Sequence, residues 1–277
     1  MNKLLSAGFT RLKKDKILWI AMGALLLYAI IHMLNGCRQA TSDTMSEYNY
    51  PLERYYFHYA LFIGMFCSVV TGMFLGTEYS DGTLRNKLIV GHTRSALYLS
   101  NLIISYTASA LLLLVWLIGA LVGVPTLGFW RMGPGFLIYL AVSICYLAAF
   151  SALFTFIGML ISNKSLAAVT SLLFFIGLLV LGSYLYQALQ QPEFDTNIIM
   201  TMEEGMQLGE PTPNPAYLTG MKREIYQFLA DFLPTGQCVQ MTELNILHPL
   251  RMILSSLSIT AVITAAGIFL FRKKDLN

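Results

Sequence analysis

Apolar positions in this chain come in long blocks rather than in alternation. Six windows contain no Asp, Glu, Lys or Arg: residues 17–37, 55–77, 95–130, 132–163, 165–192 and 252–271. Each holds at least 20 residues, enough for an α-helix rising about 1.5 Å per residue to cross a hydrocarbon layer of roughly 30 Å. Unbroken runs such as LLLLVWLIGALVGV at 111–124 exclude a transmembrane barrel, whose strands alternate apolar and polar residues over about ten positions. The pattern predicts an all-α membrane protein with six transmembrane helices, near 17–34, 55–76, 97–124, 136–161, 166–187 and 252–271.

The segments between the windows carry their own signals. In residues 1–16, Leu5, Phe9 and Leu12 share one helical face among Lys and Arg, which predicts a basic amphipathic helix at the membrane interface, facing anionic lipids. Residues 35–54 read as a polar outer loop with interfacial Tyr48 and Tyr50. In the loop 77–95, Ser80-Asp81-Gly82-Thr83 starts a short helix, and Leu84, Leu88 and Ile89 form its apolar stripe until Gly91 ends it. A tight turn follows span 3 around Pro125 and Gly128. The long segment 188–250 holds eight acids and six of the nine prolines. Its first part, 188–218, reads as irregular. Near 222–233, Ile225, Phe228, Leu229, Phe232 and Leu233 predict an amphipathic helix, stopped by Pro234 and Gly236 and lying on the membrane interface or on the tops of the spans. Residues 251–277 comprise the last span and a basic tail.

Only 12% of residues are charged, against about 25% in soluble domains, and the net charge of +3 is too small to indicate a nucleic-acid partner. Its distribution says more. Six spans put both termini on one side, which then carries twelve basic residues against four acids, a balance of +8, while the other side has six against eleven, or −5. The excess of cations in short loops predicts cytoplasmic termini.

Several chemistries are missing from the pattern. The spans hold none of the charged groups that ion-coupled transporters keep inside the membrane. The histidines His32, His58, His92 and His248 fit no protease or metal-site spacing, and there is no GxxxxGK[ST] loop. No catalytic or metal site is expected in this chain. The cysteines Cys37, Cys67, Cys145 and Cys238 show no CxxC spacing. Cys37 and Cys238 both fall on the outer side, where a disulfide between them could tie the first outer loop to the last. Gly72–Gly76 and Gly119–Gly123 read as close packing sites inside one subunit.

The stretch EYSDGTLRNKLIVGHTRSALYLSNLII at 78–104 resembles the cytoplasmic loop of ABC-2 type permeases, the membrane subunits of bacterial ABC transporters. Glu78, Gly82-Thr83-Leu84-Arg85 and Thr93-Arg94 match that family's pattern. Gly91-His92 stands where many members have a proline. The resemblance implies the ABC-2 type permease fold in a bacterial plasma membrane, with outer helices between spans 5 and 6 that dip back towards the lipid. It implies no cofactor here, with ATP and Mg on separate ABC ATPase subunits, and pairing with a second permease copy or a similar permease. The 80–90 helix would be the coupling helix, with Leu84, Leu88 and Ile89 as apolar anchors in the ATPase and Glu78, Arg85, Lys87 and Arg94 paired across that interface. The substrate path would run along spans 2 and 5. His58, Phe62, Met65 and Val69 on span 2 and Phe174, Phe175 and Leu178 on span 5 are its candidates, although ordinary helix packing explains the same residues. Such a wall suits export of a hydrophobic or amphipathic peptide, lipid or drug-like molecule. The competing reading is a membrane-embedded sensor or assembly protein whose outer segment binds a ligand.

Overall fold

The computed structural model describes residues 1–42, 52–123, 135–195, 198–201, 205–208 and 211–275. Tyr48, Tyr50 and the turn around Pro125 and Gly128 lie outside the described residues. Among the described residues, six helices are long and apolar enough to cross a membrane: Lys16–Gln39, Glu53–Ser80, Arg94–Gly123, Gly135–Leu160, Lys164–Leu189 and Pro249–Lys273.

Helix α1 (Asn2–Lys14) buries Leu4, Gly8 and Leu12. Gly8 lets it lie directly on the third span, since a Cβ there would fall 2.0 Å from Ile104 Cδ1. The Asp15 carboxylate starts α2 (Lys16–Ser42) by accepting from the amides of Ile17 and Leu18, which satisfies two of the unpaired donors at a helix start. Span 1 therefore continues past Leu34, where the sequence pattern ended it, and occupies part of the predicted outer loop. Span 2 is built from α3 (Leu52–Phe57) and α4 (Tyr59–Ser80), separated at His58. After α5 (Thr83–Ile89), span 3 is α6 (Arg94–Ala120), capped by the Thr93 hydroxyl. Span 4 is α7 (Gly135–Leu160) and span 5 is α8 (Lys164–Leu189), capped by Asn163.

The two glycine pairs pack helices within the chain. A Cβ on Gly72 would sit 2.7 Å from Ala168 Cα, and one on Gly76 would sit 2.4 Å from Lys164 Cα, so spans 2 and 5 touch backbone to backbone. Gly119 packs against span 1 through side chains, where a Cβ would sit 2.8 Å from Ala29 Cβ. Gly72→Leu is expected to cost about 1–3 kcal/mol through overpacking against unyielding main chain. A lower SDS-unfolding midpoint would show it. Gly177→Ala, where nothing lies within 4 Å, should leave that midpoint unchanged or raise it slightly, and equal midpoints for the Gly72 variant and wild type would refute the packing account.

The segment after span 5 is more ordered than its composition suggested. Two antiparallel strand pairs form there: β1 (Phe194–Asp195) with β4 (Thr212–Pro213), and β2 (Ile198–Thr201) with β3 (Gly205–Leu208). Helix α9 (Gly220–Phe232) follows. Pro234 does not end the helical region but opens α10 (Pro234–Thr242), because proline's missing N–H costs nothing at a first helical position. Every residue of α10 is buried. The Thr235 hydroxyl donates to the Leu178 carbonyl in the middle of span 5, and Gly182 meets the Gly236 backbone. Thus α9 and α10 form a helical hairpin that dips into the bundle. The last span is α11 (Pro249–Lys273).

The apolar stripe of α9 faces the other way from the predicted contact with the span tops. Ala230 and Asp231 are buried, whereas Ile225, Phe228 and Leu229 are exposed. Leu233 does pack inward, against the cluster of Leu185, Leu189 and Leu218.

Candidate functional site

The most concentrated charge chemistry lies where both termini meet α5. At the end of α4 the chain turns through Gly82, whose φ of +65° favours glycine. The Thr83 hydroxyl donates to the Glu78 carbonyl, holding the turn. This brings α5 back beneath the ends of spans 2 and 3, with Leu84 buried in the core and Leu88 packed against it.

Glu78 is fully buried and gathers four elements. Its Oε1 lies 2.6 Å from an Arg11 nitrogen of α1 and 2.5 Å from Lys87 Nζ of α5. Its Oε2 accepts from Asn101 Nδ2 of span 3 at 2.9 Å. Arg11 also stacks 4.2 Å over the Phe74 ring. A buried carboxylate is tolerated only when paired and hydrogen-bonded, and here the partners come from α1, α5 and α6.

A second tie closes beside it. Arg94 donates to the carbonyls of Phe271, Arg272 and Lys274, capping the end of α11, where a cation complements the helix dipole. Lys274 Nζ reaches Tyr79 Oη at 3.0 Å, Ser162 Oγ at 2.9 Å and the Leu160 carbonyl at 3.0 Å. Burial pushes the Lys274 ammonium below its ordinary pKa.

Of the residues expected to face an ATPase, Glu78, Lys87 and Arg94 make contacts inside the chain, and Leu84 and Leu88 form the inner face of α5. The outward face consists of Arg85, Asn86, Ile89 and Val90, with Ile89 74% and Val90 77% exposed. Beside it a cleft of about 280 Å³ opens between Ser80, Arg85, Ser162 and Asp275.

The substrate-path candidates do not form one wall. His58 stacks on His32 with ring centroids 4.5 Å apart, Phe62 lies 5.2 Å from His58 and packs edge-on to Tyr28, and the group borders a small cavity of about 180 Å³. Met65 and Val69 are half-buried on span 2. Phe175 is core: its ring fills the space left by Gly64 and lies 5.5 Å from Phe150. Phe174, its neighbour, is exposed on the outside of span 5, and Leu178 is half-buried with its carbonyl bound to Thr235.

The family model described as ABC-2 family transporter protein matches residues 4–188, from α1 to the end of span 5. The chain belongs to the ABC-2 transporter family. It is a multi-pass membrane subunit of a transporter, and membership implies association with ABC ATPase subunits in general. A search of curated proteins finds no match.

The matched region of this ABC-2 protein contains the whole Glu78 cluster. The loop pattern marked Glu78 but missed its partners Arg11 and Asn101, and Lys274 as well. Asn101 did carry a signal, as an amide inside a charge-free window. Arg11 had none that set it apart from Lys13 and Lys14.

Outside the matched region, a second buried carboxylate ties the hairpin to span 6. Asp231 Oδ1 accepts from Gln227 and Gln240, while Oδ2 faces His248 Nδ1 at 3.0 Å and Arg251 at 3.3 Å. The possible Cys37–Cys238 bridge is not formed. Cys238 is buried within α10 in the bundle, and the Cys37 sulfur lies 4.0 Å from the Gly123 carbonyl at the end of span 3. The inward dip of the hairpin removes Cys238 from the surface where the two thiols were expected to meet.

Proposed function

We propose that the chain is the permease subunit of an ABC exporter for a hydrophobic or amphipathic substrate in a bacterial plasma membrane. ATP and Mg are bound by separate ATPase subunits, and a second permease completes the membrane unit. The observation that carries this reading is the division of α5 into two faces. Its inner face is fixed to span 2 through Lys87 and Glu78 and to the core through Leu84. Its outer face presents Ile89 and Val90, both largely exposed.

An ATPase seated on the outer face would displace α5, and the Glu78 cluster would pass that displacement to α1 and spans 2 and 3. Driving force enters through contacts that differ between the two conformations, as any population shift requires. The face carrying α5 and both termini holds the excess of cations, which supports its cytoplasmic placement. The charge-free windows at the centres of the spans support an energy source outside the membrane and an apolar route for the substrate.

The test is an Ile89→Asp/Val90→Asp double variant, which changes only exposed positions. Co-purification with the ABC ATPase subunit should fall at least tenfold, while the unfolding midpoint of the permease stays at the wild-type value. Undiminished association would overturn the assignment of this face.

A further inference from the structure

At the end of span 5 farthest from the termini, a cleft of about 540 Å³ opens between α8, the segment 215–219 and the start of α9. Tyr184, Gln187, Tyr217 and Tyr226, with hydroxyl and amide side chains, line it, and Lys222 is the one charged residue among its described lining. Two exposed apolar faces lead away from this polar cleft. On α8 the face is Leu173, Ile176, Val180 and Tyr184; on α9 it is Met221, Ile225 and Phe228. The two helices meet where the Tyr184 and Tyr226 rings lie 6.4 Å apart. Helix α9 packs against the end of α8, where Tyr184 closes the apolar face of span 5, and tyrosine with lysine at the rim is the pattern of a lipid headgroup level.

We infer that this cleft binds the phosphate headgroup of a phospholipid in the leaflet farther from the termini, with acyl chains along the exposed faces of α8 and α9. The inference goes beyond the transport reading and does not depend on it. The charge of the headgroup follows from what already occupies the aromatic rings. Lys222 Nζ lies 5.9 Å from the Tyr226 centroid and the Arg223 guanidinium 5.4 Å from that of Tyr217, so an incoming cation would meet protein cations and, among the described lining residues, no carboxylate. A phosphate meets one ammonium and several neutral donors. Free phosphate would gain little, because an exposed ion pair is well screened by water and salt. A lipid adds the burial of its acyl chains, and the adjoining apolar faces supply that contact.

The experiment uses the full chain in phosphatidylcholine nanodiscs without any ATPase, so its result is separate from that of the docking test. Phosphatidylglycerol or diacylglycerol, each carrying the same photoreactive acyl chain, is added at low mole fraction, and cross-links are mapped by mass spectrometry. Phosphatidylglycerol should label 173–184 and 221–228 at least fivefold more than diacylglycerol does. Lys222→Glu should remove that excess, while labelling of the exposed span 1 residues Trp19 and Leu27 stays unchanged and reports an intact fold. Lys222→Gln, which removes the cation without adding a negative charge, should lose the excess as well. Equal labelling by the two probes, an excess that survives in both variants, or its displacement by millimolar inorganic phosphate would each overturn the inference.

Discussion

Replacing Glu78 by alanine is expected to cost about 3 kcal/mol of stability and to abolish ATP-driven transport. Removing one partner from a buried ionic cluster typically costs about 3–5 kcal/mol, because the remaining charges stay poorly solvated. The lower end applies here, since the Arg11 and Lys87 side chains are 26% and 20% exposed and can take up water. Asn101 also loses the acceptor for its amide. Transport should fail more completely than the stability loss alone predicts, because α5 then loses its ionic tie to span 2. An SDS-unfolding titration measures the first effect and uptake into proteoliposomes containing the ATPase the second. An Arg11→Ala/Glu78→Ala double variant should be less destabilised than the sum of the two single variants. Strict additivity of that pair, or an unchanged midpoint for Glu78→Ala, would show that the cluster does not hold the junction together.

Asp231→Ala should act on the opposite face with a loss of about 2–3 kcal/mol, roughly the cost of leaving buried amide donors unmatched. Gln240 is buried and cannot turn to water, whereas His248 and Arg251, with side chains 44% and 45% exposed, can. The damage should therefore be confined to the hairpin: hydrogen exchange should rise in α9 and α10 while α1 and α5 keep their protection. Combined with Glu78→Ala, the two losses should sum to within about 0.5 kcal/mol, since the clusters share no side chain. Unchanged exchange in α10 would refute the role given to Asp231.

The six spans were legible because a charge inside hydrocarbon is so costly that its absence over 20 residues is a strong signal. The short helix after span 2 was legible as well, from its starting residues and from Leu84 and Leu88 four positions apart. What periodicity does not say is which side of a stripe meets the rest of the chain. On α5 Leu84 and Leu88 face inward while Ile89 of the same stripe is exposed; on α9 Ile225, Phe228 and Leu229 face out, and the buried side carries Asp231. In lipid both arrangements are satisfactory, so the rule that apolar faces turn inward loses its force. The Glu78 cluster was half legible. The acid stood in a recognisable loop, but its partners sit 67 positions before it and 23 after it in the chain, and only the packing of α1 on span 3 brings them together. Helix α10 was hidden by Pro234, which reads as a stop from one direction and as a start from the other.

The direct main-chain contact at Gly72 and Gly76 has a consequence for motion. Two helices touching at this range cannot slide or part without losing their closest packing, so spans 2 and 5 should travel as one rigid lever. A corridor for cargo cannot open along the seam between them. It is expected on the flanks of that lever, and the pivot belongs at the lever's ends, at the Gly82 turn on one side and the His58 break on the other.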